Sequence, residues 1–106
     1  MGIFSSASTS DVDAFAKTLA LDLAKRYPPA LDQGSARKLS QKRLTTILEE
    51  TFAKAVQFKT EHKLGIYKKA RLGNTFRWEL QELGYSEKFV ETATEGLVVY
   101  VARKPA

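Results

Sequence analysis

Residues 10–29 read SDVDAFAKTLALDLAKRYPP. Within them Val12, Phe15, Ala16, Leu19, Ala20, Leu23, Ala24 and Tyr27 stand at offsets 0, 3, 4, 7, 8, 11, 12 and 15. A helix of 3.6 residues per turn gathers those offsets onto one stripe, and a strand does not. Ser10 with Asp13 three residues later has the layout of a capping box. Asp11 and Asp13 suit the positive end of the helix, and Lys25 and Arg26 suit its negative end. Pro28-Pro29 then blocks continuation. The spacing predicts a helix over about 11–27, with a full apolar stripe to bury.

The rest of the chain must cover that stripe. Residues 28–34 form a connection, and a second helix begins at Ser35 or Ser40. With Ser40 as cap, Leu39 and Leu44 have the spacing of a hydrophobic staple. Leu44, Ile47, Leu48, Thr51, Phe52, Ala55 and Val56 then share a face, Phe58 falls off it, and Gly65 closes the C-terminus. Such a helix runs some 25–30 residues, near 40 Å at 1.5 Å per residue. A helix that long in a chain this short predicts self-association.

Leu72, Phe76, Leu80 and Leu83, at offsets 0, 4, 8 and 11, predict a third long helix, broken at Gly73-Asn74. A hairpin over 66–80 competes, because Ile66-Tyr67 and Thr75-Phe76-Arg77-Trp78 have strand composition. Ser86 caps a last helix carrying Phe89, Ala93, Leu97, Tyr100 and Val101. Leu97-Val98-Val99-Tyr100-Val101 competes as a terminal strand, over 97–103. Gly65, Gly73, Gly84 and Gly96 are all expected at caps or turns. The expected fold is all-α, a small bundle of about four helices in one domain over 10–106, behind a flexible N-terminal tail over 1–9. The alternative is α+β, with a hairpin at 66–80 and a C-terminal strand.

At 106 residues the chain has room for one core. It is 43% hydrophobic and 27% charged, ordinary globular usage. There is no cysteine, which excludes disulfides, thiolate metal sites, iron–sulfur clusters and cysteine nucleophiles. A single histidine, His62, excludes a multi-histidine metal site. No apolar run reaches membrane-spanning length, and the first residues lack a secretory pattern, so no stable membrane insertion and a cytoplasmic location are expected. Gly2 and Ser6 fit the loose letters of a myristoylation signal, a pattern short enough to arise by chance.

Charge is the most informative layer. The formal net charge is +5, yet residues 1–34 and 72–106 each sum to −1. Residues 35–71 hold ten bases and three acids. Arg37, Lys38, Lys42 and Arg43 crowd the start of the second helix, where the dipole already presents positive potential. Local helix stability does not account for them, whereas an external anion does. Lys59, Lys63, Lys68, Lys69 and Arg71 surround Gly65. Tyr67 and Trp78 would stack on nucleobases if exposed, but a lone Trp in a small domain is expected in the core.

No constellation for catalysis emerges. His62 among lysines reads as a solvated side chain, and Glu49, Glu50, Glu79 and Glu82 read as helix-surface carboxylates. Neither phosphate-binding glycine motif is present, and Ser35 with Lys38 matches the S-x-x-K letters of penicillin-binding enzymes without their partner motifs. The sequence therefore predicts a non-enzymatic helical interaction or assembly protein. It would act as a homo-oligomer, without metal or cofactor, and meet an acidic partner through residues 35–71. The alternative is a nucleic-acid-binding regulator that contacts phosphates through Arg37, Lys38, Lys42, Arg43, Lys68, Lys69 and Arg71.

Overall fold

The first helix, α1, spans Thr9–Arg26 in the computed structural model, which describes residues 7–34 and 39–103. Its cap is Ser8, not Ser10. The Ser8 Oγ accepts from the Asp11 N–H at 3.1 Å, and the Ser8 N–H donates to Asp11 Oδ2 at 3.0 Å. Ser10 and Asp13 offer the same spacing two residues later, but Asp13 is drawn away by α4, as described below. Helix α1 accordingly starts ahead of residue 10, and Ala7 before it is buried.

Pro28 and Pro29 end α1, and Pro29–Asp32 forms one short turn of helix, α2. Helix α3 spans Gln41–Glu61 and is capped by Ser40, whose Oγ accepts from the Arg43 N–H at 3.1 Å. Its 21 residues make it about 32 Å long, shorter than the predicted 25–30 residues. The chain turns over His62–Gly65, and Leu64 closes the end of α3 by donating to the Lys59 carbonyl. Helices α4, Ile66–Leu83, and α5, Glu87–Ala102, follow. Between them Gly84 adopts φ +96°, the left-handed cap that L side chains disfavour.

The structure is an all-α bundle, with no strand among the described residues. The hairpin over 66–80 and the C-terminal strand are thereby corrected. Two glycines that looked like breaks lie inside helices instead. A Cβ on Gly73 would stand 2.9 Å from Val98 Cγ2, and one on Gly96 would stand 2.5 Å from Phe52 Cζ. Each glycine lets a neighbouring helix approach closely. The β-branched run near the C-terminus stays helical because Val90, Ala93, Leu97 and Val101 form one buried stripe.

Four long helices pack in the ring α1–α4–α5–α3. Phe15 stacks on Phe58 at 4.1 Å, and Arg26 pairs with Glu50 at 2.6 Å, so α1 and α3 are antiparallel. Asp13 meets Arg71 and Thr75 near the starts of α1 and α4, while Tyr27 meets Tyr85 just beyond their ends, so those two are parallel. Val12, Ala16, Leu19, Ala20, Leu23, Leu72, Phe76, Leu80 and Leu97 fill the centre. Phe58, off the α3 stripe in sequence, is part of this packing.

Candidate functional site

The predicted basic residues that the structure describes divide between the two ends of the bundle. Because α3 runs opposite to α1 and α4, the start of α3 lies at one end. Its C-terminus and the first turns of α4 lie at the other, about 32 Å away. The five described candidates, Lys42, Arg43, Lys68, Lys69 and Arg71, therefore form no single site within one molecule.

At the first end, Lys42 and Arg43 occupy the first turn of α3 and are exposed. No acid shares that turn. Neither side chain makes an ion pair with another described residue. With Arg26, Ser40, Thr46 and Ile47 they line a shallow concavity. Arg37 and Lys38 lie outside the described residues.

At the second end most of the charge is used internally. Lys68 Nζ donates to the Ala7 carbonyl, tying α4 to the chain ahead of α1. Arg71 grips Asp13 with two bonds, Nε to Oδ1 at 3.0 Å and Nη2 to Oδ2 at 2.8 Å. The Thr75 hydroxyl adds a third at 2.8 Å. The Arg71 bond, and then that from Thr75, hold the Asp13 carboxyl down to a pKa of about 2. Asp13 in return raises the Arg71 guanidinium. Lys59 Nζ caps the end of α5 by donating to the Arg103 carbonyl at 2.9 Å, while the Arg103 guanidinium sits 4.3 Å over the Tyr100 ring. Lys69 is half-buried in the first turns of α4 and makes no ion pair with a described residue. Lys68 and Arg71 are thus structural first, and His62 is not simply solvated, since its ring packs on Phe58 at 4.4 Å.

The opposite expectation fails for Trp78. It is 58% exposed, and Tyr67 and Ile66 are 65% and 84% exposed. The core side of α4 is set by Leu72, Gly73, Phe76 and Leu80. Trp78 lies two residues from both Phe76 and Leu80, about 160–200° round the helix, so it faces outward. Tyr67, Ala70, Asn74 and Gln81 join it at helical spacing, all exposed. Tyr67, Ala70, Arg71 and Asn74 line a small concavity on that outer face. The signal was present in the periodicity of the chain, masked by the expectation that the one Trp packs inside.

Compared with protein-family models, characterised proteins and solved structures, the chain gives no match. Function is therefore read from the surface alone. Among the described residues no group of His, Asp or Glu is placed to hold a metal ion. No helix is long and apolar enough to cross a membrane.

The third polar feature is a clasp between loops. The Tyr27 hydroxyl donates to Asp32 Oδ1 at 3.2 Å, and Asp32 Oδ2 accepts the Ser86 N–H at 2.7 Å. Gln33 Nε2 donates to the Gly84 carbonyl at 2.7 Å, and the buried Tyr85 hydroxyl donates to the Tyr27 carbonyl. Burial, and then the Asp32 charge, push both tyrosines above the ordinary range. The clasp satisfies backbone at three element ends and has the character of a structural network.

Proposed function

We propose that this chain is a non-enzymatic helical interaction protein of the cytoplasm that assembles with itself. One observation carries the reading. Ile66, Tyr67 and Trp78 stand bare on α4, although the core beneath is closed by Leu72, Phe76 and Leu80. Folding gains nothing from leaving them in water, and burying a large aromatic removes roughly 150–250 Å² of surface. Aromatic side chains on an outer face are characteristic of interface cores. Sedimentation equilibrium from about 1 to about 500 µM tests the reading. A mass rising from the 11.8 kDa monomer towards twice that value supports it. A monomer throughout the range removes it.

A second reading has its own support. Lys42 and Arg43 stand against the dipole in the first turn of α3, beside Arg26. A phosphate chain would relieve that local cost, which favours a nucleic-acid-binding regulator using this end of the bundle. The test is binding to a labelled duplex and a labelled single strand at about 50 and about 200 mM salt. A steep loss of affinity with salt, abolished in Lys42→Gln/Arg43→Gln, would support it. No binding at the lower salt would retire it.

A further inference from the structure

We infer that the partner of the outer face of α4 is a second copy of α4, laid antiparallel across a two-fold axis at Asn74. The inference rests on the self-assembly reading above and adds the surface, direction and register. Tyr67, Ala70, Arg71 and Asn74, at i, i+3, i+4 and i+7, surround one concavity. That is the four-residue hole of helix–helix knob packing. Trp78, 58% exposed and four residues beyond Asn74, is a knob with no hole of its own. Ala70 lies four residues before Asn74. A two-fold axis at Asn74 therefore sets Trp78 of each copy over Ala70 of the other, a large side chain on a small one. Each copy supplies one knob and one hole, the self-complementarity that a two-fold interface demands.

Charge favours the same direction. Helix α4 carries Lys68, Lys69 and Arg71 in its first two turns, a sum of +3, and Arg77, Glu79 and Glu82 in its last two, a sum of −1. That order opposes its own dipole. An antiparallel neighbour sets the acidic half of one helix beside the basic half of the other and opposes the two dipoles. Arg71 is already fixed by Asp13, so its guanidinium waits at the rim of the hole for the incoming indole face. Asn74, an exposed polar residue in the middle of the stripe, meets its own copy on the axis. A central Asn pair of this kind selects one register. The stripe from Tyr67 to Gln81 is only about 21 Å long, so the contact is at the small end of the range for specific interfaces.

The absence of cysteine makes the test direct. Wild type is followed by sedimentation equilibrium, alongside Trp78→Ser and Ala70→Glu, both at exposed positions and checked for helicity by circular dichroism. Each is expected to weaken the dimer at least about tenfold. Asn74→Cys should form an intermolecular disulfide on mild oxidation. Gln81→Cys should not, because its two Cα atoms would lie at least about 21 Å apart, far beyond disulfide reach. Cross-linking at both positions would mean a parallel pair and overturn the inference. A wild-type dimer that neither thiol cross-links would place the interface elsewhere and overturn it while leaving self-assembly standing. A wild-type monomer overturns both. If that monomer's Trp78 emission is quenched by a single-stranded oligonucleotide, the face belongs to nucleic acid.

Discussion

Consider Gly96→Ala, set beside Gly73→Ala. Both glycines lie inside helices, so both substitutions gain about 1 kcal/mol of helix propensity. What separates them is the neighbour. A Cβ at residue 96 would stand 2.5 Å from Phe52 Cζ and 2.6 Å from Cε2. Ordinary carbon contacts are about 3.5–4.0 Å, so the ring must move by roughly 1 Å. It has little room, being 5% exposed with its centroid 5.0 Å from that of Tyr100. Overpacking of that kind costs about 1–3 kcal/mol. The net expectation is a loss of about 1 kcal/mol. At residue 73 the Cβ would stand 2.9 Å from one methyl of Val98, which is 43% exposed and can lean into solvent. Propensity should win there, for a net gain of about 0.5 kcal/mol. The two variants should differ by about 1.5 kcal/mol, or roughly 6–12 °C in Tm. Urea denaturation followed by circular dichroism, at equal m-value, reads the difference. Gly96→Ala proving more stable than wild type would refute the claim that this glycine sets the approach of α5 to α3. As an internal control, Phe52→Leu should relieve part of the Gly96→Ala loss in the double variant.

Three further outcomes follow from the polar contacts. Asp13 titrates near 2 in the folded chain against about 3.9 unfolded, so its contribution is present above pH 4 and fades as pH falls through 2. The stability curves of wild type and Asp13→Asn should therefore stand apart at pH 6 and converge towards pH 2; parallel curves would deny the Arg71 clamp. Tyr85→Phe removes the buried bond to the Tyr27 carbonyl and should cost about 1–2 kcal/mol. Because burial raises the Tyr85 phenol, wild type should also lose stability above about pH 10 more steeply than Tyr85→Phe, and equal slopes in an alkaline titration would count against its burial. Ser8→Ala should cost about 1 kcal/mol while Ser10→Ala costs little, measured by chemical denaturation; the reverse order would return the cap to Ser10.

The fold was legible because the apolar offsets of α1, α4 and α5 are helical over several turns, and the described residues hold no strand to pair with the β-branched run at 97–101. The errors have physical causes. Ser8/Asp11 and Ser10/Asp13 are overlapping cap signals, and local sequence does not rank them. The choice is made by Arg71 and Thr75, 58 and 62 residues away, which take Asp13 for themselves. Phe58 fell off its predicted stripe because α3 packs against both α1 and α5, so its apolar arc is wider than one line of residues. Gly73 and Gly96 were read as breaks because single-chain patterns carry no record of which helix will press against a missing Cβ.

The site was less legible, for a related reason. Ten bases in residues 35–71 look like one feature along the chain, but charge in sequence is not charge in space. The length of α3, about 32 Å, holds Lys42 and Arg43 at one end of the bundle and the bases around the turn into α4 at the other. Acids from the first third, which sums to −1, then meet part of the segment, as Asp13 does with Arg71 and Asp22 with Lys54 at 3.9 Å. Two features of the remaining surface stand out: two cations opposing a dipole at the start of α3, and an exposed Trp78 near the concavity lined by Tyr67, Ala70, Arg71 and Asn74 on α4. The second has shape as well as charge. Shape selects a partner geometry, while exposed charge at a helix end accepts many anions, and that difference is why self-assembly through α4 takes precedence over a nucleic acid at α3.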